Sequence, residues 1–143
     1  MTRGRQKPID RLFIKRARLR SIFLKAARKR LDFLTDLFSL TESGGVIFRR
    51  RLELQEAVLT YLLAKWFFWV VNKKINPSAT MEELVKIPHL AGRSGDLDEI
   101  IGRLSNPEEM ILIPTETGYM LNPEKIDEAI EQIEDYVAMH LGA

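Results

Sequence analysis

Met110-Ile111-Leu112-Ile113-Pro114-Thr115-Glu116-Thr117-Gly118-Tyr119-Met120-Leu121 decides the architecture. Two short apolar runs flank a Pro-Thr-Glu-Thr-Gly turn, which is the pattern of a small β-hairpin. Outward from it in both directions the period changes to that of helix. After it, Asn122 and Pro123 set a capping residue before a first-turn proline. Ile126, Ile130, Ile133, Val137 and Leu141 then share one face of a helix predicted to run to about Leu141. Before it, Asn106-Pro107 is a break, and Asp96 is expected to cap a helix over Leu97–Leu104. Thr80 with Glu83 reads as a capping box opening a short helix over Met81–Ile87, stopped by Pro88.

Further upstream the apolar positions multiply. A helix is predicted from about Ile47 to Asn72, with Leu52, Leu54, Ala57, Val58, Tyr61, Leu62, Trp66, Phe68, Trp69 and Val70 on more than one face. Such a helix is packed from several sides, and its aromatic run Trp66 to Trp69 is expected in the core or hairpin packing, the alternative being an exposed aromatic for base stacking or a partner pocket. Its apolar stretch Ala57–Val71 is shorter than the roughly 20 residues that span a bilayer. The first third carries Ile9, Leu12, Phe13, Leu19, Ile22, Phe23, Ala26, Ala27, Leu31, Leu34, Leu37 and Phe38 at three- and four-residue steps. That spacing predicts a helix of about eight turns, opened by Pro8, ended by Ser39–Gly45, and paired antiparallel with the next. The expected fold is mainly α: a long basic N-terminal helix, a hairpin partner, and a module containing the small β-hairpin. The expected division is a basic helical arm over 1–45 and a second unit over 46–143.

Charge divides the chain the same way. Met1 to Arg51 holds 15 Lys and Arg against 4 Asp and Glu, whereas Leu52 to Ala143 holds 7 against 16. A cationic first third on an anionic remainder implies a polyanion for one part and another role for the rest. The length of 143 residues and the 45% apolar fraction suit one domain with an extension. The chain has no Cys, which excludes disulfides and thiolate chemistry and fits a cytoplasmic protein. Arg and Lys interrupt every apolar stretch before Leu31, so no secretory signal is expected.

From Leu52 onward the order of long helix, short helix, turn, short helix, hairpin and closing helix resembles the winged helix-turn-helix superfamily. The residues that carry this are Thr80-Met81-Glu82-Glu83-Leu84-Val85, the helix from Asp96 to Leu104, and the hairpin Met110 to Leu121, where Gly118-Tyr119 sits at the turn back of the wing. The resemblance covers about two-thirds of the chain. It implies a DNA-binding or protein-binding module and a role in transcription control or DNA organisation. In the DNA-binding members the second short helix enters the major groove. Here Arg93, Ser94 and Arg103 are the candidate base or backbone contacts, among the acids Asp96, Asp98 and Glu99. Negative charge is repelled by phosphate, so this face also fits a protein partner.

The principal candidate surface is the basic helix. Arg3, Arg5 and Lys7 lead into Arg11, Lys15, Arg16, Arg18, Arg20, Lys25, Arg28, Lys29 and Arg30, and Arg49, Arg50 and Arg51 extend the set from the far end of the proposed helical hairpin. Six to eight phosphate contacts would give a log–log salt slope of roughly −5 to −7 on B-form DNA. Competing uses are pairing with the acids of the C-terminal helix, or adsorption to an anionic membrane surface. Ile126, Ile130, Ile133 and Val137 are either core or the face of a dimer or partner contact. His89 and His140 each lack a neighbouring ligand, no Gly-rich phosphate loop occurs, and no carboxylate pair is set for acid–base work. The sequence therefore predicts a non-enzymatic protein without cofactor or metal. Nucleic acid is the favoured partner, DNA over RNA. The alternative is an adaptor whose basic helix docks an acidic surface of a large assembly.

Overall fold

A computed structural model describes residues 16–72, 74–87 and 94–140. In chain order it contains α1 (Arg16–Arg28), α2 (Leu31–Leu37), β1 (Phe38–Leu40), β2 (Val46–Phe48), α3 (Leu54–Val71), α4 (Met81–Val85), α5 (Ser94–Leu104), β3 (Leu112–Pro114) and β4 (Tyr119–Leu121). A single 3-10 turn, Pro123–Lys125, leads into α6 (Ile126–His140). The molecule is mainly helical, with two small antiparallel hairpins, β1–β2 and β3–β4.

The core is built around α3. Leu59, Leu62, Leu63 and Ala64 are inaccessible to solvent and Trp66 nearly so, because α3 is enclosed by α6, α5 and β4. By length and composition α3 could cross a membrane, but 56% of it is buried inside this molecule. Burying each of its large side chains contributes about 1.5–3 kcal/mol. The Trp66 indole N–H also donates to the Leu121 carbonyl at 3.0 Å, which ties α3 to the β3–β4 hairpin. That hairpin pairs Leu112 with Leu121, Ile113 with Met120 and Pro114 with Tyr119. Ala79 adds a further rung opposite Tyr119.

Several expected elements form where the residues place them. Thr80 and Glu83 make the reciprocal capping box of α4. Asn122 accepts from the Glu124 amide at 3.0 Å, ahead of Pro123. Others differ. The long first helix breaks at Lys29–Arg30, and Phe38 leaves it as strand; the break turns α2 so that Leu34 and Leu37 still reach the core. The helix predicted from Ile47 starts at Leu54, because Val46–Phe48 are used as strand against β1. A boundary between residues 45 and 46 therefore falls in the loop of that hairpin, and Phe23, Ala26 and Ala27 belong to the same core as α3 and α6.

In place of an antiparallel pair with α3, α1 packs mainly on α6 and the turn before it. It reaches α3 through Phe23. The helix expected at Leu97 starts at Ser94, leaving Asp96 in the first turn, where an acid is equally favoured by the exposed amides. Met110 is not strand: its φ is +49°, and the Asn122 side-chain amide donates to its carbonyl at 2.9 Å. The proposed starts at Pro8 and stop at Pro88, together with His89 and Leu141, lie outside the described residues.

Candidate nucleic-acid interface

The sequence of α1, Arg16 to Arg28, contains no acid. Its rotation is set from the inside. Phe23 is fully buried, stacked on Trp66 with ring centroids 5.9 Å apart and meeting Phe67 edge-on at 4.8 Å. Ala26 and Ala27 are buried beside it, and their small side chains allow close approach. With that face inward, Ala17, Arg18, Arg20, Ser21, Lys25, Arg28 and Lys29 are exposed and Leu24 is half-buried. Arg18, Arg20, Lys25 and Arg28 have no ion-pair partner among the described residues. Four cations held outward without internal neutralisation form a surface suited to phosphate.

Arg30 behaves differently from the rest of the basic set. It sits in the turn after α1 with only 19% of its side chain exposed. Its Nε donates to Glu134 at 2.6 Å, Nη1 to Asp127 at 3.0 Å and Nη2 to Glu131 at 3.1 Å. These carboxylates lie one turn apart along a single face of α6, so one guanidinium saturates a row. Burial opposes its charge, but the bonds and attraction from Glu134 and Asp127 outweigh that and hold it above the ordinary arginine value. Arg30 is thus a poor phosphate-binding candidate, because three carboxylates neutralise its charge and engage three of its five N–H donors. Lys29 stands between the two roles, 3.5 Å from Asp127 and 55% exposed.

The arginine triplet is divided too. Arg50 forks onto Asp36, Arg49 Nε donates to Ser39 Oγ at 2.6 Å, and Arg51 is exposed. Arg103 is exposed at the end of α5 and donates to the Gln55 side-chain carbonyl. Ser94 opens α5. Arg3, Arg5, Lys7, Arg11, Lys15 and Arg93 lie outside the described residues, and Arg16 opens α1.

The apolar row Ile126, Ile130, Ile133 and Val137 is not a dimer or partner face. All four are buried within the chain, at 0–4% exposure, against its own core. α6 therefore presents acids outward, and Glu128, Glu131 and Asp135 are exposed there, as are Asp98 and Glu99 on α5.

Two polar groupings escaped the sequence reading. Glu83 accepts from the Tyr61 hydroxyl at 2.8 Å and from Lys65 at 3.1 Å, joining α4 to α3. Burial pulls its carboxyl upward, but those two bonds prevail and hold it below the usual carboxylate range, while burial and Glu83 push Tyr61 up. Glu56 is 9% exposed in the first turn of α3, and burial raises its carboxyl. The capping box signalled Glu83, although its partners on α3 had no local signature. Among the described residues no group of three or more His, Asp or Glu side chains is placed to hold a metal ion. No family model, curated protein or solved structure matches this chain.

Proposed function

We propose that the chain is a non-enzymatic nucleic-acid-binding protein that grips phosphates through the outward face of α1, with DNA favoured over RNA. The observation that carries this is the set Arg18, Arg20, Lys25 and Arg28, exposed on an acid-free helix and without ion-pair partners. Basic residues used internally, such as Arg30 and Arg50, are paired in full view of the same geometry, so the contrast is informative. A role in transcription control or DNA organisation is part of the proposal. It draws on the winged helix-turn-helix resemblance, which the order α3, α4, α5, β3–β4, α6 and the Ala79–Tyr119 rung support. In this reading the acid-rich outer side of α5 and α6 serves a protein partner or a second copy, not phosphate.

A gel-shift salt titration with mixed-sequence duplex DNA tests it. Binding should be tight at about 50 mM salt and weaken steeply as salt rises. Changing Arg20, Lys25 and Arg28 together to Glu should abolish the shift, while Arg103→Glu should leave it nearly unchanged. Failure of the folded wild-type chain to bind duplex at low salt, with retained capture by an acidic protein assembly, would replace this reading with the adaptor.

A further inference from the structure

We propose that α1 seats in the major groove of B-form DNA, with Ser21, Leu24 and Arg28 toward the base edges. This rests on the nucleic-acid reading above and specifies its ligand. The outward face of α1 has an ordered layout. Ala17, Ser21, Leu24 and Arg28 follow four-, three- and four-residue steps, so they form one row along the helix. Arg20 lies about 70° to one side of that row and Lys25 about 70° to the other, with Arg18 and Lys29 further round beyond Lys25. The middle is short or apolar for most of its length, and the cations stand on both flanks.

A helix resting on a single phosphate chain presses its central row onto the phosphates. Ala17 and Leu24 offer nothing there. A helix in a groove places its central row on the floor and its flanks against two phosphate walls. The second arrangement matches these residues. The B-form major groove, about 12 Å wide, admits a helix about 10–12 Å across. The major groove of duplex RNA is deep and narrow and excludes it.

The central row also carries groups that read base edges. The Arg28 fork matches guanine O6 and N7, Leu24 matches a thymine methyl, and Ser21 can bond either strand's edge. Seven residues separate Ser21 from Arg28, about 10 Å along the helix, or about three base-pair steps. Lys29, at the outer flank, is the residue that must choose between Asp127 and a phosphate.

The test uses the full chain and five probes: duplex DNA, duplex RNA of the same sequence, the DNA with every guanine replaced by 7-deazaguanine, and the DNA with each of two groove-occupying dyes. Duplex RNA should bind at least tenfold more weakly than DNA. Methyl green, which fills the major groove, should raise the apparent Kd at least fivefold, and netropsin, which fills the minor groove, less than twofold. The 7-deazaguanine duplex, which loses only a major-groove acceptor, should bind about fivefold or more weakly. Arg28→Ala removes the donors to guanine N7, so it should abolish that 7-deazaguanine penalty while lowering the salt slope by no more than about 1. Equal affinity for DNA and RNA, or displacement by netropsin and not by methyl green, overturns the groove seating and leaves phosphate binding intact. Absence of binding to both duplexes at low salt overturns the underlying reading as well.

Discussion

Two glycine-to-alanine substitutions should have opposite signs. A Cβ added at Gly118 would stand 1.9 Å from the Ala79 carbonyl oxygen, 2.7 Å from its carbon and 2.9 Å from Thr80 Cα. All three are backbone atoms, so no rotamer change relieves the clash, and the strand must move away. The movement breaks the pair of hydrogen bonds between Ala79 and Tyr119, now 2.8 and 2.9 Å. Each is worth about 1 kcal/mol net, and a buried amide left unpaired costs about 1–3 kcal/mol. The stiffer unfolded chain returns about 0.4–1 kcal/mol. The expected loss for Gly118→Ala is therefore about 2–4 kcal/mol. Gly102 lies in the exposed interior of α5, where an added Cβ meets nothing within 4 Å. Gly102→Ala should instead stabilise by about 0.5–1 kcal/mol. Urea unfolding followed by circular dichroism reads both, with the midpoint moving and the slope unchanged. A Gly118→Ala loss below about 1 kcal/mol, or the same sign for both variants, would refute the close packing of Ala79 on the β3–β4 hairpin.

Arg30→Met leaves Glu131 and Glu134 without their cation and Asp127 with Lys29 alone. Because the acids are 35–58% exposed, the loss should be about 1–3 kcal/mol at low salt and should shrink near 1 M salt, as thermal melts at two ionic strengths would show. Glu56 and Glu83 should respond to pH in opposite directions. The raised Glu56 carboxyl destabilises the fold once pH passes the ordinary value near 4.5, so Glu56→Gln should be neutral in acid and stabilising at pH 7. The lowered Glu83 carboxyl adds stability above that value and loses it as pH falls through the folded value, so Glu83→Gln should be costly at pH 7 and progressively less so in acid. Urea midpoints measured across the pH range test both. Thr60 has a fully buried hydroxyl with no hydrogen-bond partner among the described residues, so Thr60→Val should raise stability by about 1 kcal/mol in the same urea assay.

Local chemistry was legible in the sequence and nonlocal chemistry was not. The capping box at Thr80, the Asn122–Pro123 start and the Met110–Leu121 hairpin each depend on residues within a dozen positions. The break at Lys29–Arg30 has no such signal, since the three-and-four spacing runs through it unbroken from Leu19 to Leu37. Arg30 sits at that break and meets carboxylates about a hundred positions later, an attraction invisible to periodicity. The β1–β2 hairpin was hidden for a related reason. Val46-Ile47-Phe48 is too short to distinguish strand from helix, and its pairing with Phe38–Leu40 only becomes favourable once α2 has turned. Charge segregation pointed to α1, but a count of arginines does not separate those presented to solvent from those consumed by the fold.

That separation follows from the inside of the molecule. Phe23, Ala26 and Ala27 fix which side of α1 faces α3 and α6, and Arg30 fixes its C-terminal end by clasping Asp127, Glu131 and Glu134. A helix held by an apolar face and a polar clasp has no remaining freedom to roll. Its outward row is then determined, and the row that results contains Ala17, Ser21, Leu24 and Arg28 between cationic flanks. The acids of α6 thus have two consequences. They neutralise the arginine at the seam between α1 and α6, and by clasping it they fix the end of α1. Loosening the clasp, as Arg30→Met does, should therefore weaken duplex binding without removing any phosphate contact from the proposed surface. Unchanged affinity in a folded Arg30→Met variant would mean that the apolar face alone sets the orientation of the helix.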